Sequence, residues 1–176
     1  MKKILDHKIR KKIYNLISKN PGIHLSKIAE VLNIRISLIE YHLVIMEEHN
    51  LVVSIKEPRG YHRRYYVEDS GIGTEDKKIL ALLRQDILLK IVLLLARNPR
   101  LRHKNILENL DISPSTLSYH INRLVENEII EVTPQEMERG YRLKDKKKIV
   151  RLLLRYELHV FIEEFRDIWK DLQYYK

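Results

Sequence analysis

Residues 8–53 lie on residues 86–131 without a gap at a constant offset of 78, and this internal repeat most narrows the folds open to the chain. Asn20-Pro21 falls on Asn98-Pro99, and Tyr41-His42 on Tyr119-His120. Ile9, Lys12, Ile13, Leu16, Ile28, Glu30, Leu32, Ile34, Ser37 and Glu48 also meet identical residues, giving about 14 identities in about 46 positions. A pattern used twice in 176 residues calls for two small cores of one design rather than a single large one.

Each copy reads as helix, short link, helix, tight turn, helix and hairpin. The first helix is expected from about Asp6 to Lys19, with Ile9, Ile13, Leu16 and Ile17 at helical spacing, and Asn20-Pro21-Gly22 forbids its continuation. Ile28, Ala29 and Leu32 mark a short second helix, and Asn33-Ile34 a turn. Ile36, Ile39, Leu43 and Met46 form the inner stripe of a third helix ending near Asn50; Leu117, Ile121 and Leu124 repeat it in copy two, where Ser113 suits the cap and Pro114 the first turn. The β-branched run 51–55 turns at Pro58-Arg59-Gly60 and returns at 63–67. Copy two runs 129–133 and returns at 140–143, a shorter hairpin.

Three helices and a two-stranded wing, with Tyr-His on a Leu/Ile-rich third helix, resemble the winged helix-turn-helix domain of the ArsR and MarR kinds of transcription regulator. Asp111-Ile112-Ser113-Pro114-Ser115-Thr116-Leu117-Ser118-Tyr119-His120-Ile121-Asn122-Arg123-Leu124 carries the resemblance most fully. Two such domains in one Ile- and Lys-rich chain look most like archaeal regulators with two helix-turn-helix domains. The expected fold is mainly α with small β-hairpin wings: residues 1–69 form the first winged domain, 70–143 the second with a linking helix, and 144–176 a long amphipathic C-terminal helix. The polar stretch 68–74, with two glycines, is the expected boundary, and one helix from Glu75 to about Arg97 the link.

Charge suggests the partner. The chain holds 33 Lys plus Arg against 24 Asp plus Glu, a net of +9, which favours polyanions and double-stranded DNA first. A major-groove helix needs small or polar side chains on its exposed face. In copy two these are Ser115, Thr116, Ser118, Tyr119, Asn122 and Arg123, and the resemblance points to the same six. Copy one presents Ser37, Leu38, Glu40, Tyr41, Val44 and Ile45, a poor base reader. Two uses are open to that face: Leu38, Val44 and Ile45 meet a protein partner, or Leu38 and Val44 touch thymine methyls while Arg35 and Tyr41 hold the backbone, with Ser37 a further DNA-binding candidate. On its wing Arg59, His62, Arg63 and Arg64 cluster with Tyr61, Tyr65 and Tyr66 as an expected phosphate-binding footprint, with Arg139 as the lesser counterpart in copy two. Residues 1–70 carry 13 basic and 8 acidic side chains, and 71–143 carry 11 and 10, so copy one supplies attraction and copy two reading.

In the C-terminal segment Leu152, Tyr156, Val160, Phe165, Ile168, Trp169 and Leu172 stand near helical spacing, and a homodimer through them is expected, as the resemblance also implies. The competing use is packing back on both copies. The chain has no Cys, so thiolate metal sites and disulfides are excluded; Gly-rich phosphate loops, HExxH pairs and nucleophile elbows are missing too. No metal, cofactor or catalysis is expected. Charged residues at 2, 3, 6 and 8 and at 84, 86 and 90 argue against a signal peptide and a membrane span, which points to the cytoplasm. A scaffold built of winged domains, without sequence-specific binding, is the alternative function, and structured RNA a third partner class.

Overall fold

Asn20 decides where the first long helix stops. In a computed structural model, which describes residues 2–56, 63–133 and 140–156, α1 (Lys2–Leu5) precedes α2 (Lys8–Lys19). Asn20 caps the helix end twice: its backbone amide donates to the Leu16 carbonyl at 2.9 Å, and its side-chain amide folds back to donate to the same carbonyl at 3.1 Å. Gly22 then takes φ +80°, where a side chain would be strained, and turns the chain into β1 (Ile23–His24). The short link between the first two helices thus contains a strand.

Copy one continues with α3 (Leu25–Leu32), α4 (Ile36–Glu48), β2 (Val52–Lys56) and β3 (Arg63–Val67). His24 Nδ1 caps α3 by accepting from the Lys27 amide at 3.2 Å. Asn33 ends it in the left-handed region at φ 52°, which Asn tolerates better than most side chains, and the Ile34 amide reaches the Ala29 carbonyl at 3.0 Å. That is the tight turn expected between the second and third helices. β3 is the centre of a three-stranded antiparallel sheet, with Ile23 opposite Tyr65 on one side and Ser54 opposite the same tyrosine on the other.

The core of this copy joins Ile13, Ile17, Ile28, Ala29, Ile39, Leu43 and Met46 from the helices to Ile23, Val52, Tyr65 and Val67 from the sheet. Ile39, Leu43 and Met46 keep the inner stripe assigned to them, whereas Ile36, in the first turn of α4, is half exposed. Arg64 and Tyr66 point from β3 to the opposite face. Tyr66 has no exposed surface and donates its hydroxyl to the Lys77 carbonyl at 2.8 Å. Lys77 belongs to α5 (Thr74–Leu83), so β3 is covered on both faces.

Copy two repeats these elements as α6 (Asp86–Arg97), β4 (Leu101–Arg102), α7 (His103–Leu107), α8 (Pro114–Glu126), β5 (Ile130–Thr133) and β6 (Gly140–Leu143), followed by α9 (Lys146–Arg155). β6 is central to its sheet, and Tyr141 stands opposite Leu101 as Tyr65 does opposite Ile23. The repeat extends to the turn after the third helix. Asn50 and Glu128 both adopt positive φ, 52° and 56°, and the following amides of Leu51 and Ile129 each close on the third helix at 2.9 Å.

The linking helix is not continuous. Gln85 takes extended angles, φ −98° and ψ 122°, between α5 and α6, and Asp86 opens the new helix with a carboxylate at its positive end. The chain divides into two compact units, Met1–Ala81 and Leu82–Lys176. α6 is buried at Leu88, Leu89 and from Ile91 through Ala96, the residues that made this stretch the greasiest in the sequence. Among the described residues no helix is long and apolar enough to cross a membrane.

Candidate nucleic-acid interface

Ser113 begins the third helix of copy two. Its hydroxyl accepts from the Thr116 amide at 3.1 Å, and Pro114 fills the first helical position, where a missing N–H costs nothing. Leu117, Ile121 and Leu124 are buried beneath the helix. Ser115, Ser118, Tyr119 and Asn122 are exposed, and Thr116 and Arg123 partly so. The six positions expected to face the groove thus share one solvent-facing side of α8.

Several of these side chains are already held. The Ser115 and Thr116 hydroxyls lie 2.9 and 2.8 Å from Ser113 Oγ. Ser118 Oγ donates to the Pro114 carbonyl at 2.9 Å, which leaves it to accept from His103 Nε2 at 3.1 Å. Arg123 donates to Gln85 Oε1 at 2.8 Å, and its guanidinium carbon sits 5.7 Å from the centre of the Tyr119 ring, within cation–π range. Gln85 and His103 were not singled out in the sequence. Nothing in the linear pattern links residue 85 to 123; the polar run Arg84-Gln85-Asp86 was the one signal there.

In copy one Arg35, Ser37, Leu38, Glu40, Tyr41 and Val44 are exposed on or beside α4, while Ile45 is half buried. This face is apolar where α8 is polar.

The wing of copy one needs correction. Arg64, expected on phosphate, is 4% exposed, and its Nη1 donates to the Gly22 carbonyl at 3.3 Å. It faces inward because alternation along β3 puts it on the same side as Tyr66, the side that α5 covers. Tyr65 and Tyr66 are buried too, so neither hydroxyl reaches a phosphate from this strand. Arg63, one residue earlier, is exposed and donates to Ser54 Oγ at 3.4 Å. Arg59, His62 and Arg139 lie outside the described residues.

The two arginines should therefore separate cleanly in thermal unfolding. Arg64→Ala is expected to cost unit 1 about 1.5 to 3 kcal/mol, the range for a hydrogen bond to a charged group. Arg63→Ala should stay within about 0.5 kcal/mol of the parent. Equal melting temperatures for both variants would contradict the burial of Arg64.

On the wing of copy two, Arg142 donates to Glu131 across the strands at 2.5 Å, and Lys144 to Glu128 at 2.8 Å. The Lys144 hydrogen bond holds the exposed Glu128 carboxyl below the usual range. Both basic groups have acidic neighbours competing for any phosphate.

His42 and His120 occupy equivalent places under the third helices. Burial lowers the pKa of both rings; His7 and Arg10 add to the effect at His42, and Arg123 at His120. Each Nδ1 is buried without a hydrogen-bond partner among the described residues, and the His7 ring lies 4.7 Å from that of His42. Burial and the neighbouring cations thus disfavour the charged imidazolium at both positions. Among the described residues no group of three or more His, Asp or Glu is placed to hold a metal.

Leu152 and Tyr156, assigned to a dimer surface, are 4% and 7% exposed and so are largely used within the chain itself. Tyr156 stands at the C-cap of α9. Val160, Phe165, Ile168, Trp169 and Leu172, and the rest of the long C-terminal helix expected to Tyr174, lie outside the described residues.

Each unit thus has three helices in helix-turn-helix order, a three-stranded sheet whose last two strands make a wing, and an exposed third helix: the winged helix-turn-helix class. The chain belongs to the winged helix-turn-helix DNA-binding family, whose model matches it twice, at residues 6–53 and 84–131. An uncharacterized HTH-type transcriptional regulator of Methanocaldococcus jannaschii is 32% identical over 122 residues, which are 69% of this chain. The matched region spans 30% of the length of that relative.

Proposed function

We propose that this protein is a sequence-specific, double-stranded DNA-binding transcription regulator in which α8 reads bases from the major groove. The observation that carries the reading is the exposed polar face of α8, Ser115, Thr116, Ser118, Tyr119, Asn122 and Arg123, on a helix whose opposite side is buried. Ser and Thr exchange hydrogen bonds with several base edges, Asn pairs bidentately with adenine, and Arg with guanine or a phosphate. The M. jannaschii relative is named as a transcriptional regulator, which supports the same role here. Arg63 adds sequence-independent attraction from the wing of copy one.

The active form is a homodimer that places two copies of α8 on half-sites about 34 to 36 Å apart, or a multiple of that spacing. The product of this arrangement is occupancy of a pseudo-palindromic site, not chemical turnover. Asn122→Ala tests the reader. Binding titrations against a panel of single-base variants should show discrimination falling by about 1 to 3 kcal/mol at one base position and little elsewhere. A uniform loss over all sequences would remove Asn122 from the reading role.

A further inference from the structure

We propose that the exposed face of α4 is the dimer surface, packing antiparallel on α4 of a second copy. This names the surface for the homodimer proposed above and rests on that reading. The argument starts from a comparison within the molecule. At the offset of 78, Leu38, Val44 and Ile45 replace Thr116, Asn122 and Arg123, while Tyr41 matches Tyr119. The scaffold is the same, but the outward side chains have changed from hydrogen-bonding to apolar. Leu38, Tyr41 and Val44 are 40%, 60% and 48% exposed, at the three-residue spacing that puts them on one side of the helix opposite Ile39, Leu43 and Met46. Three large apolar groups in one stripe are a contact surface in search of a partner.

Charge then says which partner. α4 has no acidic residue in its first turn and no basic residue in its last. It carries Arg35 at the N-cap and Glu47 and Glu48 at the other end, each set opposed by the helix dipole. Glu40 and Glu48, both exposed, also make this face unfavourable for phosphates. A second α4 running the opposite way resolves both conflicts, because the basic start of each helix meets the acidic finish of the other. With the two-fold axis at Tyr41, the tyrosines of the two copies meet at the centre. Leu38 lies beside Ile45 of the second copy and Val44 beside its Ser37, and Arg35 comes within reach of its Glu48. The surface is self-complementary, as an isologous two-fold contact requires. One helix face buries less than the roughly 800 Å² per partner of a standard interface, so a dimer of micromolar strength follows.

Sedimentation equilibrium of the full chain, without DNA, from about 0.1 to 100 μM tests this. The parent is expected to pass from monomer to dimer within that range. Tyr41→Glu, which sets two carboxylates on the axis, should weaken the dimer at least tenfold, and Arg35→Glu or Glu48→Arg alone should each weaken it several-fold. Arg35→Glu with Glu48→Arg should recover most of the parent affinity. All three side chains altered are solvent-facing, and unchanged circular dichroism and melting temperature will confirm that the variants fold.

A dimer indifferent to all of these variants would overturn the α4 surface while leaving the homodimer reading intact. A monomer throughout would overturn both, and Asn122→Ala would still test base reading by α8 separately. Disruption by Tyr41→Glu without rescue by the charge exchange would overturn the antiparallel arrangement.

Discussion

Tyr66→Ala is expected to destabilise unit 1 by about 3 to 5 kcal/mol, the cost of replacing a fully buried aromatic side chain by a methyl group. Tyr66 ties the sheet to α5 and leaves no room for a side chain at residue 22. Its hydroxyl donates to the Lys77 carbonyl at 2.8 Å, Lys77 Nζ lies 5.6 Å from the ring centre, and a Cβ on Gly22 would sit 3.2 Å from the hydroxyl. Truncation therefore opens a cavity between the sheet and α5 and frees the turn that holds β1. Against a total stability of about 5 to 15 kcal/mol for a small domain, such a loss leaves unit 1 marginal. Tyr66→Phe keeps the ring and should cost about 0.5 to 1.5 kcal/mol, the net worth of the hydrogen bond to the Lys77 carbonyl. Hydrogen exchange resolved along the chain is the measurement of choice, since two units need not unfold together. The loss of protection should be confined to residues 8–81. Equal loss in α6 and α8 would show that the two units share one cooperative transition.

The second large effect is in salt. If the protein contacts about 6 to 10 phosphates, its DNA affinity should fall by about 10³ to 10⁵ between 50 and 200 mM salt. Fluorescence anisotropy at several salt concentrations gives the slope. Arg63→Ala should reduce that slope by about one while weakening all sequences alike, as loss of one phosphate contact does. Arg64→Ala should leave the slope unchanged wherever the variant remains folded, because its guanidinium is turned to the Gly22 carbonyl. A nearly flat salt response in the parent protein would mean that the charge of +9 plays little part in DNA binding and would favour a scaffold built of winged domains.

The helices were legible because their stripes are long enough for periodicity to show. α2 and α6 occupy equivalent positions, Lys8–Lys19 and Asp86–Arg97, as the repeat requires. β1 and β4 were not legible, since two residues cannot display alternation; their pairing with β3 and β6 is a tertiary event. The break at Gln85 was written only as a polar interruption, and a helix tolerates those. Arg64 misled for a physical reason. A basic residue on a wing is exposed when one face of the hairpin is open, but α5 closes that face in copy one. The equivalent face of copy two carries the exposed Arg142, paired with the partly exposed Glu131. The polar side of α8 is solvent-facing as its sequence implies, while its hydrogen bonds with Gln85 and His103 depend on contacts 38 and 15 residues apart that no local pattern encodes.

The bond between Arg123 and Gln85 bears on the entropy of docking. A long cationic side chain that wanders in solution must surrender about 0.5 to 1.5 kcal/mol of rotamer freedom when it is fixed at an interface. Arg123 gives up much of that freedom during folding, pinned by the Gln85 amide oxygen and laid across the Tyr119 ring. In the DNA-bound form proposed above, that part of the penalty is met by the folded chain and does not recur at each encounter with a duplex. Affinity gained in this way comes from order that exists before the ligand arrives, so the helix is preorganised by a residue, Gln85, that need never touch DNA.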